Sequence, residues 1–277
     1  MKRIADSHFK AETWSDLQEF LFNNHDGCID RFRSNYVYRG VSDKSFRLQT
    51  SIQRLGRKPT ELEANLIRNF QKYSPINTLI DNYNNIWNWI ALGQHHGLPT
   101  RLLDWTYSPY VALHFLTEDI STYDKDGIIW MVDFDSIKDY YPDNLKNRLI
   151  KDHIFSLTSS ELKDEIGDSI EAINDYLDKK QNAMIFFEPP SIDDRIVNQY
   201  AIFSFMLDSN SDKLEWLEGK SDILKKIIIP KELKWEIRDK LDQANISERI
   251  IYPGLDGISK WLKRWYSEKN DSKKWNI

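Results

Sequence analysis

Between Gln94 and Thr106 the chain gathers two imidazoles, a guanidinium, a carboxylate, an amide and two hydroxyls within thirteen residues, Gln-His-His-Gly-Leu-Pro-Thr-Arg-Leu-Leu-Asp-Trp-Thr. His95 or Asp104 could act as a general base, and Arg101 could hold an anion. A second candidate lies upstream in Tyr38-Arg39-Gly40, where an arginine at the end of an aromatic strand would face a pocket and the glycine would permit close backbone approach. Each group also has a structural reading. Arg39 could pair with Asp43 at the surface, Arg101 could pair with Asp104, His95 could bond a backbone carbonyl, and Trp105 could be core. Thr106 and Ser108 could cap the helix that follows. His96 reads as scaffold. His95 and His96 are adjacent, and neither has a second histidine at helical spacing, so no metal site is expected.

The elements that must position these groups follow from periodicity. Trp14, Leu17, Phe20 and Leu21 predict a helix capped by Thr13 or Ser15, and Tyr36 to Gly40 a short strand. Phe46, Leu48 and Ile52 read as an extended continuation. Thr60 to Tyr73 is helical, with a Thr60–Glu63 capping box and an apolar face of Leu62, Leu66, Ile67 and Phe70. A helix over 82–94 ends where Gly97 and Pro99 interrupt it, and Ser108-Pro109 opens the next one, carrying Val111, Ala112, Phe115 and Leu116 inward. Gly127 to Phe134 is the most convincing strand and is placed centrally. A helix over 160–179 is expected, then strands over 183–187, 200–207 and 223–229. Pro230 opens a helix to Gln243, and a final helix follows Tyr252-Pro253-Gly254. Strands and helices interleave irregularly, which predicts an α+β protein with one mixed central sheet and surrounding helices.

The chain has 277 residues and a net charge of -5, which argues against bulk electrostatic binding of duplex DNA. One cysteine, Cys28, excludes an internal disulfide or a cysteine-based zinc cluster and suits a reducing cytoplasm. No signal-like segment or membrane-length apolar run is present, so a cytoplasmic protein with no membrane partner is expected.

Four segments together resemble the FRG domain family. They are Tyr38-Arg39-Gly40 with Ser42, Asp43, Leu48, Ser51 and Arg54; Gln94 to Thr106 with Ser108-Pro109 and Ala112-Leu113; Arg195-Ile196 with Asn198-Gln199 and Phe203; and Tyr252 to Gly257. The resemblance implies a domain over 1–267 and leaves a polar tail over 268–277. A looser resemblance is to ADP-ribosyltransferases of the Arg-Ser-Glu type. Their site runs from an aromatic-Arg-Gly strand, through a turn feeding a helix, to a later strand with the catalytic acid. Here the order is Tyr38-Arg39-Gly40, then Asp104 to Phe115, then Gln199. A glutamine stands where the acid is expected, and Glu188 is the nearest carboxylate.

This second resemblance implies a pocket for NAD or a related nucleotide, with transfer of ADP-ribose or hydrolysis of NAD. Arg39, His95, Asp104 and Gln199 are then the catalytic candidates. Tyr38, Arg39, Gly40, Thr100, Arg101, Trp105, Thr106 and Ser108 are the candidates for holding the nucleotide. The target would be a protein, a nucleic acid or the NAD itself, in a bacterial defence or toxin setting, with NAD as substrate and no metal. Two other classes stay open: a non-catalytic module binding a nucleotide, nucleic acid or peptide, and a His95/Asp104-dependent hydrolase or nuclease toxin.

Overall fold

The computed structural model describes residues 1–26, 29–74, 85–178, 182–191, 194–220 and 222–269. Cys28, residues 82–84 of the expected second helix and the end of the tail lie outside them. In chain order the elements are β1 (Lys2–Ala5), β2 (His8–Lys10), α1 (Trp14–Phe22), β3 (His25–Asp26), β4 (Arg31–Phe32), β5 (Tyr36–Val41), α2 (Pro59–Tyr73), α3 (Ile86–His95), β6 (Leu103–Thr106), α4 (Pro109–Thr117) and β7 (Gly127–Asp133). They continue with α5 (Asp143–Lys151), β8 (Leu157–Thr158), α6 (Ser159–Glu165), α7 (Ile170–Asp178), β9 (Met184–Glu188), α8 (Asp194–Asn198), β10 (Ala201–Met206), α9 (Lys213–Glu218), β11 (Leu224–Ile229), α10 (Lys234–Gln243), α11 (Glu248–Ile251) and α12 (Leu255–Trp265).

Nine strands form one sheet in the order β1-β2-β11-β7-β5-β6-β10-β9-β8. β2–β11 and β8–β9 are parallel and the other neighbours antiparallel, so the protein is α+β with a mixed sheet. The two-residue side-chain period divides each central strand between two cores. On β7, Ile128, Trp130 and Val132 join the face covered by α2, α3, α5 and α6, while Ile129 and Met131 join the face covered by α1, α4 and α10. β7 lies between β11 and β5, fully sandwiched, as its unbroken apolar run requires.

Several local expectations need correction. Glu63 does not close a capping box: α2 starts at Pro59 after Lys58, with no side-chain cap. Glu63 is turned inward instead, to Arg101. The helix expected over 160–179 is two, α6 and α7, because the chain bends at Gly167. Leu48 and Ile52 are buried, but their segment makes turns and a 3₁₀ step over Gln53–Leu55 rather than an extended run, and Phe46 is exposed. Phe115 is only half-buried, and His114 beside it is fully buried, as are Leu113 and Leu116.

Candidate active site

The polar loop stands where α3 gives way to β6. Asn85 caps α3 through its side chain on the Trp87 N–H, and α3 ends where Gly97 takes φ of 82°, a left-handed conformation that favours glycine. The loop then closes on itself. The Leu98 N–H donates to the Gly93 carbonyl at 2.8 Å, and the Leu102 N–H donates to Thr100 Oγ1 at 3.1 Å. Ser108 caps α4 through the Val111 N–H, with Pro109 at the first helical position.

Those turns aim a chain of hydrogen bonds across three segments. The Thr100 N–H donates to Ser51 Oγ at 3.0 Å, Thr100 Oγ1 to Gln94 Oε1 at 2.6 Å, and Gln94 Nε2 to Asp104 Oδ2 at 2.8 Å. Arg39 completes it: its Nη1 donates to the Asp104 backbone oxygen at 2.6 Å and lies 3.9 Å from the carboxylate. β5 and β6 share a single register pair among the described residues, Tyr38 with Thr106. Beyond that pair the Arg39 guanidinium takes the carbonyl that a ladder N–H would otherwise satisfy. Arg39 is 23% exposed and Asp104 48%. Burial pulls the Arg39 guanidinium below the ordinary arginine value, the Asp104 charge opposes this, and the Arg54 charge adds to it. Arg39 Nε has no hydrogen-bond partner among the described residues.

The expected partnerships of the two arginines are both overturned. Asp43 pairs with Lys125 at 3.0 Å and not with Arg39. Arg101 does not meet Asp104: it is fully buried in a two-pronged pair with Glu63, whose carboxylate takes both Nε and Nη2. Asn174 Oδ1 stands 3.5 Å from Nη2, and Nη1 lacks an acceptor among the described residues. Lys213 is buried close by. Its amine is pulled down to about 7 by burial first, then by the positive charges of Arg101 and Arg39, against the pull of Asp212 and Glu63.

Most of the residues expected to line a nucleotide pocket are scaffold. Tyr38 is fully buried, its hydroxyl bonded to Ser34 Oγ at 2.6 Å and pushed up to about 12 by burial. Trp105 packs on Phe186 and donates its indole N–H to Ser204 at 2.8 Å, so it offers no face to a ligand. Thr100 and Thr106 are buried, and Thr106 Oγ1 donates to the Gln199 carbonyl at 2.7 Å while accepting from the Ser108 N–H. At Gly40 a Cβ would fall 1.8 Å from the Ala112 carbonyl oxygen, so the close approach is made by α4 and not by a ligand. Gln199 is half-buried in the turn between α8 and β10, and its Nε2 has no partner among the described residues.

Two clefts open beside this seam. One, of about 730 Å³, is lined by His95, Arg195, Tyr252, Asp256 and Lys260 among others, and joins the second, third and fourth sequence segments. Tyr252 is its centre. The Arg195 guanidinium lies 4.9 Å and the Lys260 amine 4.5 Å from its ring, and its hydroxyl donates to Glu118 at 2.8 Å. Burial first, then the Glu118 carboxylate, raise the Tyr252 hydroxyl well above the ordinary value, and the Arg195 charge opposes them. The other cleft, of about 810 Å³, is aromatic, with Tyr107, Phe134, Phe155 and Tyr200 around Glu188. Glu188 accepts from the Tyr107 hydroxyl at 3.0 Å.

Sequence reasoning missed Glu63 as the partner of Arg101, Lys213, and Gln94 as the clamp on Asp104. Only Gln94 carried a local signal, its place in the polar run. The spacing of the others along the chain shows nothing, because their contacts are long-range.

The fold is α+β, and its polar loop, which joins α3 to β6, is tied to Ser51 and to Arg39 of β5. Residues 34–125 match the family model of the FRG domain, so the chain carries an FRG domain there. The match takes in the Arg39 strand and the whole of Gln94 to Thr106, while the Gln199 and Tyr252 segments lie beyond it. Neither the curated proteins nor the solved structures compared with the chain provide a match. Among the described residues no helix is long and apolar enough to cross a membrane.

Proposed function

We propose that the chain binds NAD or a related nucleotide at the seam of β5, β6 and β10 and uses it to transfer or hydrolyse ADP-ribose. The observation that carries this reading is strand order. The Arg39 strand, the strand running from Asp104 into the α4 turn, and the strand following Gln199 are consecutive in the sheet, β5-β6-β10. This is the sequence of parts that the resemblance to ADP-ribosyltransferases implies. Two buried donors at the seam, Arg39 Nε and Gln199 Nε2, lack acceptors among the described residues, and buried polar groups are normally satisfied.

On this reading Arg39 holds the pyrophosphate, and the Gln199 amide bonds a ribose hydroxyl. Breaking the nicotinamide–ribose bond builds positive charge at the anomeric carbon, which a nearby carboxylate stabilises. Asp104 is the carboxylate beside Arg39, and its exposed half can instead accept a proton from water or an acceptor hydroxyl. Glu188 is a weaker candidate for this work because it is committed to Tyr107 in the other cleft. His95 opens on the Tyr252 cleft, where an acceptor would enter.

A second reading is a nucleotide-binding module without turnover. It is favoured by Gln199, an amide that cannot supply the charge of a glutamate.

The test is nicotinamide release and NAD binding by the purified protein, with labelled ADP-ribose transfer into a cell extract. Arg39→Ala and Gln199→Ala are run alongside, with circular dichroism confirming their folds. Turnover lost in both variants supports catalysis at the seam. Binding without turnover supports the module. Folded protein that neither binds nor turns over NAD ends the nucleotide reading and directs attention to nucleic-acid cleavage.

A further inference from the structure

The aromatic cleft around Glu188 has no part in the nucleotide reading. Its rings are of the type that fills a core, yet several stand in water. Phe32 is 68% exposed, Tyr200 61% and Phe155 56%. Exposed apolar side chains gathered in one concavity mark a binding surface. Tyr200 carries a second sign. Its φ of 50° lies in the left-handed region that favours glycine, and its carbonyl accepts from the Tyr107 N–H at 3.1 Å. Burial of its ring does not offset that strain, and strain of this kind collects at ligand sites.

The set of the rings says what shape fits. Tyr107 meets Tyr200 at 60° with centroids 5.3 Å apart, Tyr107 meets Phe134 at 90°, and Phe134 meets Phe155 at 57°. These neighbouring rings form no parallel pair, so they make a corner rather than a slot. A corner suits a rounded group better than a flat base. Charge says the rest. The face of an aromatic ring is negative and attracts a cation. Two rings of the cleft already hold one, since Lys138 Nζ lies 4.3 Å from the Phe134 centroid and 4.1 Å from that of Phe155. Lys138 itself does not line the cleft, and it is paired with Asp135 at 2.9 Å. Glu188 is half-buried and accepts from the Tyr107 hydroxyl through Oε1, while its Oε2 has no hydrogen-bond partner among the described residues. Burial first, then Glu188, raise the Tyr107 hydroxyl well above its ordinary value, so it stays a donor to the carboxylate. The charged residues lining the cleft are three carboxylates, Asp26, Asp135 and Glu188, against Arg33.

We propose that this cleft binds a small organic molecule by a quaternary or methylated ammonium group, seated against Tyr107 and Tyr200 with its charge answered by Glu188. Aromatic walls are a common setting in which proteins recognise such groups, because a methylated cation can meet several inclined rings at once. At about 810 Å³ the cleft is of the size that holds a whole small ligand, so the ammonium is one end of the molecule and the rest extends toward Phe32. The inference does not depend on the nucleotide reading.

The experiment follows the N-methyl proton signal of choline as the full chain is added, with tetramethylammonium as competitor and circular dichroism to check the fold of every variant. Saturable binding that tetramethylammonium displaces is expected. The neutral isostere, with a tert-butyl group in place of trimethylammonium, should bind at least about tenfold more weakly. Glu188→Gln keeps an acceptor for Tyr107 and should weaken choline binding by about fivefold or more. Tyr200→Leu keeps apolar bulk at an exposed position and should weaken it by about threefold or more, whereas Tyr200→Phe, which keeps the ring, should bind as the native chain does. No saturable binding of either cation by the folded native chain overturns the proposal. An isostere that binds as tightly as choline overturns it too, and would reassign the cleft to neutral apolar ligands. Binding indifferent to both Glu188→Gln and Tyr200→Leu places the cation elsewhere and has the same consequence.

Discussion

Two arginines meet at the polar loop, Arg101 within it and Arg39 from β5, and each has a carboxylate nearby, yet their settings are opposite. Arg101 is sealed against Glu63, with two of its nitrogens on one carboxylate and no exposure. Arg39 touches Asp104 through the backbone oxygen, keeps its nearest carboxylate contact at 3.9 Å, and remains partly open. A closed, fully desolvated pair is a fixture of the core: its geometry cannot change without leaving a charge stranded. An open pair with a spare donor can exchange its partner for a ligand at little cost. The comparison places Arg101 in the core and leaves Arg39 partly open beside an exposed carboxylate, although the residues themselves offered them for the same role.

The comparison breaks first at Glu63. Glu63→Gln leaves the Arg101 charge buried without its counterion, and unfolding in urea should show a loss of about 3–5 kcal/mol. A loss below about 1 kcal/mol would mean that water or another anion reaches Arg101, and the pair would not be closed. Lys213 sharpens the same point. Its amine is held down to about 7 in the folded state against an ordinary value of 10.5. The unfolded chain therefore binds more protons between those limits, and this group makes stability rise with pH across that window. Lys213→Met should remove the rise and stabilise the protein near neutral pH by on the order of a few kcal/mol. A stability curve from pH 7 to 10 that keeps its slope in the variant would show that Lys213 has a counter-charge in solution. The smallest effect is expected at Arg39. Arg39→Met costs one hydrogen bond between β5 and β6, about 1 kcal/mol by thermal unfolding, while nucleotide binding is lost. Destabilisation as large as that of Glu63→Gln would make Arg39 a fixture of the core as well.

Much of the architecture was legible in the residues. The central place of Gly127 to Phe134, the Thr13 and Ser108 caps, and the α+β class follow from local periodicity and turn chemistry, which act over a few positions. The errors have a common origin. Thr60–Glu63 has the form of a capping box, but a buried arginine makes a stronger claim on Glu63 than a helix N-terminus does. The aromatic residues Tyr38 and Trp105 have the chemistry of a stacking wall, and the packing of both sheet faces consumed them.

By itself the sequence determined where the polar groups cluster, which strand is central, and that Gly97 and Pro99 set a rigid loop between two buried elements. Only the tertiary structure decided which charges are spent and which are available. That follows from the physics: a side chain's type is local, but desolvation and pairing depend on partners far along the chain, Glu63 for Arg101, Asp104 for Arg39 and Glu118 for Tyr252. The orientation of α12 belongs to the same class. Its Arg264 is drawn into the protein by Glu248 and Asp242, partners that no spacing along the chain announces.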